Sequence, residues 1–264
     1  MNLSKRLRMV ADCVTKGNVV ADVGCDHAYI SIYLVEGKVA PGTIALDVNE
    51  GPLLRAQENI VSYGFESLIS TRLSDGLHKL EPKEADSIVI AGMGGALMIR
   101  ILEEGSECVK AAKELILQPQ SEIWRVREYL HNLNFEITKE DMCIDEGKYY
   151  TVLHAQPQPL WGCAALPQPL WGCGAALSRE DLGSFCEEKE AVTKDTKRLY
   201  NRYGRYLLEK KHPVLLQFLE KERAKAYQIK QDLEHNSTLK SRERYTELIK
   251  EIKILEDALQ YYKP

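Results

Sequence analysis

The stretch VVADVGCDHAY at residues 19–29 decides the fold of this chain of 264 residues. Its apolar run predicts a buried strand that ends at Gly24, and residues 28–36 then follow a helical pattern. The alternation continues, with strands predicted at 43–46, 69–73, 87–91 and 115–117 and helices at 52–63, about 95–104 and 121–132. Strands that alternate with helices at this pitch form parallel βαβ units, which predicts an α/β fold with a doubly wound, mostly parallel sheet.

Both ends of this predicted domain depart from the alternation. Apolar residues spaced by three and four from Leu3 to Val14 predict a helix ahead of the first strand. Residues 135–144 and 148–155 predict two strands joined by a tight turn, which adds an antiparallel strand to the end of the sheet. The predicted domain covers residues 1–155.

Residues 156–202 differ in composition from the domain before them. They contain a tandem repeat, PQPLWGCAAL at 157–166 followed by PQPLWGCGAAL at 167–177. Two copies are too few to build a repeat architecture, so we interpret the segment as an inserted linker, partly in the polyproline II conformation.

Residues 203–264 carry a second helical pattern. Apolar positions from Leu208 to Leu233 and from Tyr245 to Tyr262 are spaced by three and four, which predicts an antiparallel helical hairpin resembling a coiled coil. Residues 201–264 hold 14 Lys and Arg against 10 Asp and Glu, whereas residues 1–155 hold 16 against 23. This basic tail permits a polyanionic partner.

The composition excludes several classes of protein. A hydrophobic fraction of 44% excludes a wholly disordered chain, and a net charge of −4 excludes a polycation that condenses nucleic acid. The seven cysteines form no CxxC pair, so we predict no metal site. The N-terminus lacks a secretory apolar region, and four prolines interrupt the uncharged stretch at 149–178. We therefore expect a cytoplasmic protein without a membrane span.

Small and acidic residues follow three of the predicted strands. Gly24 follows the first strand, Asp47 ends the second, and Asp75 and Gly76 follow the third. Because the carboxyl ends of parallel strands meet at one edge of the sheet, we expect these residues to converge there. A glycine lets the backbone approach a ligand, and a carboxylate binds ribose hydroxyls. The set predicts an adenosine site, with Asp75 near the adenine edge.

Asp26 and Tyr29 indicate which adenosine cofactor fits. A dinucleotide fingerprint needs glycines at both of these positions, and the carboxylate of Asp26 would repel a pyrophosphate. NAD and FAD are therefore disfavoured. S-adenosylmethionine carries no phosphate, and its sulfonium and ammonium groups suit carboxylates.

Gly92-Met93-Gly94-Gly95 follows the fourth predicted strand, where a methyl acceptor is expected. Methyltransferases that act on exocyclic amines usually carry Asn/Asp-Pro-Pro-aromatic at this point. The absence of that motif favours a different nucleophile. The glycines leave room for a flat group, on which Met93 could pack.

At these residues the chain resembles the bacterial TrmK family, the tRNA (adenine 22-N1)-methyltransferases. The similarity covers about 1–155 and 203–264, and it is carried by residues 3–7, 21–29, 51–52, 72–77, 90–95, 115–119 and 203–208. It implies a class I methyltransferase domain with a coiled-coil arm. Gln120, where the family usually has Asn, and Cys25, where it has a small hydroxyl residue, depart from the pattern.

The resemblance implies S-adenosylmethionine as the cofactor and also implies the site residues. The cofactor would be bound by Asp22, Gly24, Cys25, Asp47, Val48, Asp75, Gly76, Ala91 and Gly92. The candidate catalytic residues, which would face the acceptor, are Asp26, His27, Tyr29 and Met93, with Gly94 beside them. Adenine N1 has a free lone pair that attacks the methyl group directly, so catalysis would rest mostly on positioning.

The resemblance further implies tRNA as the partner. The basic arm and the cations Lys5, Arg6 and Arg8 are expected to contact its phosphates, and a monomer is expected. N1 lies on the Watson–Crick edge, so the base must first be exposed. Three alternatives stay open: a class I methyltransferase for a small molecule or a protein, a non-catalytic module that binds the cofactor or RNA, and a nicotinamide-dependent oxidoreductase.

Overall fold

The computed structural model describes residues 1–158, 194–234 and 239–263. Its strands are β1 Val20–Val23, β2 Thr43–Asp47, β3 Ile69–Leu73, β4 Ser87–Gly94, β5 Glu114–Ser121, β6 Phe135–Asp145 and β7 Lys148–Pro157. Its helices are α1 Lys5–Ala11, α2 Tyr29–Glu36, α3 Glu50–Tyr63, α4 Gly95–Glu104, α5 Ser106–Ala111, α6 Ile123–Asn132, α7 Lys194–Tyr203, α8 Arg205–Glu209, α9 Pro213–Glu234 and α10 Leu239–Gln260.

The strands form one seven-stranded sheet in the order β3-β2-β1-β4-β5-β7-β6. The first five strands run parallel, and β7 pairs antiparallel with both β5 and β6. This arrangement confirms the predicted doubly wound sheet and its antiparallel end. Strand order reverses between β1 and β4, and doubly wound sheets bind ligands in the cleft at that point, beyond the carboxyl ends of the strands.

The sheet is buried on both faces, as its near-continuous apolar strands predict. Ile88 and Ile90 of β4 pack in a cluster with α4, α5 and α6, whereas Val89 between them packs with α1 and α2. All three side chains are fully buried, and each burial contributes about 1.5–3 kcal/mol to folding.

Several predicted elements differ in extent from the observed ones. Strand β4 continues through the glycine-rich segment to Gly94, with irregular pairing to β5 beyond Ala91. Helix α5 is absent from the prediction because it has only six residues and a weak pattern. The repeat at 157–177 lies outside the described residues from position 159 onward.

Helix α7 begins inside the segment that the sequence predicts to be a linker. Leu199 and Tyr203, four residues apart on α7, are both buried in the cluster that holds the C-terminal helices. The same cluster contains Met142 of β6. The described end of the 156–202 segment is therefore helical and packed against the arm.

Helices α9 and α10 pack against each other in antiparallel directions. Leu219 of α9 and Leu248 and Leu255 of α10 share one buried cluster. Pro213 begins α9, where its missing N–H costs nothing because a first helical position has no partner for it. Leu208, predicted to lie in the first long helix, belongs to α8 instead, since the chain turns at Lys211 with φ +51°. The coiled-coil character of the pair stays a prediction.

Candidate active site

The turn after β1 is the centre of the site. The N–H groups of Gly24 and Cys25 both donate to the carbonyl of Leu46, at 2.8 and 3.0 Å, which fastens the turn to β2. Gly24 has a φ of +71°, and a Cβ at this position would overlap the terminal methyl group of Met93. The turn therefore requires glycine, and it brings the predicted cofactor loop into contact with the predicted acceptor strand.

Asp22 lies within β1 rather than at its tip. Its side chain is buried beside α2, where Ser31 Oγ donates to Oδ2 at 2.9 Å. Burial raises the pKa of Asp22 to about 6, although the hydrogen bonds from Ser31 act in the opposite direction. Because burial disfavours the ionised carboxylate, a cationic ligand beside Asp22 would stabilise it.

Asp47 connects two loops at the end of β2. Its Oδ1 accepts from the Asn49 N–H at 2.9 Å, and its Oδ2 accepts from the Asp26 N–H at 3.3 Å. Each oxygen keeps further acceptor capacity, because an ionised carboxylate has about four lone-pair sites. Val48 beside it is exposed. The free lone pairs of the Asp47 carboxylate suit a ligand with two neighbouring hydroxyl groups.

The loop after β3 reaches the same edge of the sheet through its backbone. The Ser74 N–H donates to the Asp47 carbonyl at 2.8 Å. The side chain of Asp75 is 54% exposed and lies 3.8 Å from Arg100 on α4, and Gly76 packs against Ile101. The three aspartates thus share one edge, but the Asp75 carboxylate is directed toward α4. Its contact with an adenine stays a prediction.

Asp26, His27 and Tyr29 form the outer wall of the turn. The His27 and Tyr29 rings stack with centroids 5.1 Å apart and an angle of 13° between their planes. Asp26 Oδ1 lies 3.7 Å from His27 Nε2, and Asn59 donates to the His27 carbonyl at 3.0 Å. Asp26 has a φ of +49°, which Asp tolerates better than most residues. The wall presents a carboxylate beside an aromatic stack.

Gly92 lies on the opposite wall, where the sequence reasoning missed a second group of residues. The Gly92 N–H donates to Gln118 Oε1 at 3.2 Å, and Arg6 Nη1 donates to the same oxygen at 3.0 Å. The Arg6 guanidinium also lies 5.6 Å from the centre of the Tyr150 ring. Gln118 belongs to the stretch 115–119 that carries part of the family resemblance, and this is the sequence signal that could have placed it here. In the structure it pairs with Ala91 of the neighbouring strand.

The N-terminal helix holds Arg6 in place at its first turn. Ser4 caps α1 by accepting from the Leu7 N–H, and the Asp145 carboxylate accepts from the Arg6 N–H at 3.1 Å. This backbone hydrogen bond lowers the pKa of Asp145. Arg6, predicted as a tRNA contact, therefore lies beside Gly92, at the end of β4 where the sequence predicts the acceptor.

The described residues contain neither a metal site nor a membrane-spanning helix. Within them, no group of three or more His, Cys, Asp or Glu side chains is arranged to hold a metal ion. No helix among them is both long and apolar enough to cross a membrane.

The family described as methyltransferase domain matches residues 3–153. In sequence, the chain is 42% identical over 156 residues to the Bacillus subtilis tRNA (adenine(22)-N(1))-methyltransferase, which covers 59% of this chain and 66% of that protein. The sequence match thus spans slightly less than two thirds of this relative.

Two solved structures match almost the whole chain. The B. subtilis m1A22 tRNA methyltransferase TrmK has a TM-score of 0.77 at 30% identity, covering 98% of this chain and 99% of that one. A Streptococcus pneumoniae relative in complex with S-adenosyl-L-methionine has a TM-score of 0.73 at 30% identity, covering 98% and 100%. This chain belongs to the methyltransferase-domain family and, within it, to the TrmK family.

Proposed function

We propose that this protein transfers a methyl group from S-adenosylmethionine to N1 of adenine 22 in tRNA. The observation that carries the proposal is the contact between Gly24 and Met93, which joins an acidic cofactor edge to an acceptor strand. The relatives that match the chain over nearly its full length include a tRNA m1A22 methyltransferase.

The residues at this edge fit S-adenosylmethionine chemically. Asp22 is buried with a hydroxyl as its hydrogen-bond donor, and Asp47 is held by two backbone amides. Across the described ranges, neither carboxylate forms an ion pair with a Lys or Arg. Two carboxylates without a protein cation suit a ligand that brings ammonium, sulfonium and ribose hydroxyl groups.

The bound cofactor supplies an electrophilic methyl group on a cationic sulfur. Attack by N1 needs no prior loss of a proton, because the ring nitrogen has a free lone pair. The protein has to hold the base in line, exclude water and favour the positive charge that passes to the base. Good orientation alone contributes about 7–11 kcal/mol.

The wall formed by Asp26, His27 and Tyr29 suits these tasks. His27 covers one face of the Tyr29 ring, and Tyr29 is still 38% exposed, so its other face can stack on an adenine. The exposed Asp26 carboxylate places a negative charge beside that ring and stabilises the methylated base. Asp26 and Tyr29 are therefore our candidates for acceptor binding and catalysis.

Cations on two surfaces support RNA as the acceptor. Within the described ranges, Nε and Nη2 of Arg6 have no hydrogen-bond partner, so they can bind a phosphate. Lys5 and Arg8 are exposed beside it, and Arg223 and Lys225 are exposed on α9. Phosphate contacts of this kind position an RNA and make its binding depend on salt. A tRNA substrate also implies a cytoplasmic location.

The test combines base mapping with an Asp26→Asn variant. Asn tolerates the positive φ at this position, so the exchange removes the charge and keeps the backbone. We expect label from S-adenosylmethionine in 1-methyladenosine at position 22, and none in a transcript with guanine there. The variant should lose about tenfold to a hundredfold in kcat and keep its cofactor affinity. Label on protein, on a small molecule or on another base would contradict the proposal.

A further inference from the structure

A buried ion pair lies where the C-terminal arm meets the methyltransferase domain. Arg127 of α6 and Glu140 of β6 are 3% and 1% exposed, with Arg127 Nε 2.7 Å from Glu140 Oε1. Neither side chain faces the cleft described above. A buried ion pair contributes little net stability, because desolvation offsets its attraction, so this pair needs another explanation.

Both members of the pair also bind backbone groups where α7 joins the arm: Arg127 binds the end of α7, and Glu140 binds the start of α8. Arg127 Nη1 donates to the carbonyls of Asn201 and Arg202, each at 3.0 Å, at the last turn of α7. Glu140 Oε2 accepts from the Tyr206 N–H at 3.2 Å, in the first turn of α8. The pair thus satisfies groups that helix ends leave unpaired, with the cation at a C-terminus and the anion at an N-terminus.

Gly204, between α7 and α8, fits tightly against the ion pair. Its φ is +91°, and a Cβ there would lie 2.5 Å from Glu140 Oε2. The bend between the two helices therefore needs glycine, which leaves the Glu140 carboxylate room to accept from the Tyr206 N–H. Beyond the bend, Tyr206 packs on the core of the domain, whereas Leu207 and Leu208 pack in the cluster of α9 and α10.

We propose that Arg127, Glu140 and Gly204 are positioning residues that fix the direction in which the arm leaves the methyltransferase domain. This inference rests on the proposed function, because a fixed direction matters only if one tRNA contacts the arm and the cleft together. A rigid arrangement orders the two binding surfaces before the tRNA arrives and so lowers the entropic cost of binding.

The first test variant exchanges both members of the pair, Arg127→Met with Glu140→Leu. Apolar side chains of similar volume often replace a buried ion pair without loss of stability, but they cannot bind the helix ends. A second variant, Gly204→Ala, keeps the pair chemically intact and displaces the Glu140 carboxylate. The control is Glu114→Gln, which weakens another buried polar cluster, whose partners Thr15, Ser87 and His154 all lie in the methyltransferase domain.

The direction of the arm is measured as the distribution of distances between two dyes. The dyes are attached through noncanonical residues at positions 97 on α4 and 249 on α10, where the native side chains are exposed. Wild type and control should show one narrow distance distribution, and both test variants a broad one. The KM for tRNA should rise about tenfold in both test variants, with kcat and cofactor affinity within about twofold of wild type. The control should keep the wild-type KM.

A narrow distribution in both test variants, or a broad one with an unchanged KM, would overturn the inference. If the wild-type protein methylates no tRNA, the proposed function fails. The distance measurement still decides in that case whether the pair fixes the arm.

Discussion

Replacing Asp22 with Asn should stabilise the fold at neutral pH and weaken cofactor binding. Burial raises the pKa of Asp22 from its ordinary 3.8 to about 6. Between these two values the folded protein holds a proton that the unfolded chain has lost, so stability falls as pH rises from about 4 to about 6. A difference of about two pKa units corresponds to about 3 kcal/mol lost above pH 6.

The Asn variant carries no charge and avoids this loss. Its stability advantage over wild type should be small at pH 4 and about 3 kcal/mol at pH 8. For a chain of this size the latter corresponds to a rise in Tm of about 6–12 °C. Thermal unfolding of both proteins across this pH range, without cofactor, measures the advantage directly.

Asp86→Asn provides a control of opposite sign. Lys113 and the Val19 N–H lower the pKa of Asp86, so its stabilising effect is present at neutral pH and is lost as pH falls. This variant should therefore be less stable than wild type at pH 8. An Asp22→Asn advantage that is equal at pH 4 and pH 8 would refute our explanation of the Asp22 pKa. Equal stabilisation of wild type and Asp22→Asn by S-adenosylmethionine would refute cofactor binding by Asp22.

Three further predictions concern single positions. Glu114→Gln should lower the free energy of unfolding by about 1.5–3 kcal/mol at pH 7, measured by urea unfolding. Burial raises the pKa of Glu114, but its hydrogen bonds outweigh that effect and hold the pKa at about 2. The loss of stability should therefore shrink as pH falls from about 4.5 toward 2. Gly24→Ala should weaken cofactor binding in calorimetry by displacing Met93, and unchanged binding would contradict the proposed role of the turn. Gln118→Leu should raise the KM for tRNA, because Arg6 loses its acceptor; an unchanged KM would remove Arg6 from the acceptor side.

The sequence predicts the sheet well because the relevant signals are local. Each apolar run and each helical pattern spans a few residues, and the alternation alone implies parallel strands with a common carboxyl edge. Gly24 and Asp47 lie at that edge, and their loops are hydrogen-bonded to each other. Local patterns do not reveal which way a side chain faces, so the prediction places Asp22 within the first strand but does not show that its carboxylate is buried against Ser31 of α2.

The contacts that the sequence does not predict depend on tertiary packing. Arg6 and Gln118 are separated by 112 positions, and their hydrogen bond forms because β5 lies beside β4 with α1 packed over both. The pair of Arg127 and Glu140 likewise forms through tertiary packing, although only 13 positions separate them. No periodic pattern in the sequence signals either pair, because each contact depends on how the strands pair and how the helices pack against them.

The charges on the two walls of the cleft bear on how the base is methylated. The reaction turns a neutral adenine into a cation, which the Asp26 wall favours and the Arg6 guanidinium on the other wall disfavours. Gln118 and the Tyr150 ring hold Arg6 there, and neither of them neutralises its charge. A phosphate bound by Arg6 would cancel that charge, so the same contact that positions an RNA would also lower the electrostatic cost of transfer. The Asp145 carboxylate also attracts the Arg6 charge. A free nucleoside brings no phosphate to add to that attraction, which gives a physical reason for the site to favour an adenine within a nucleic acid chain.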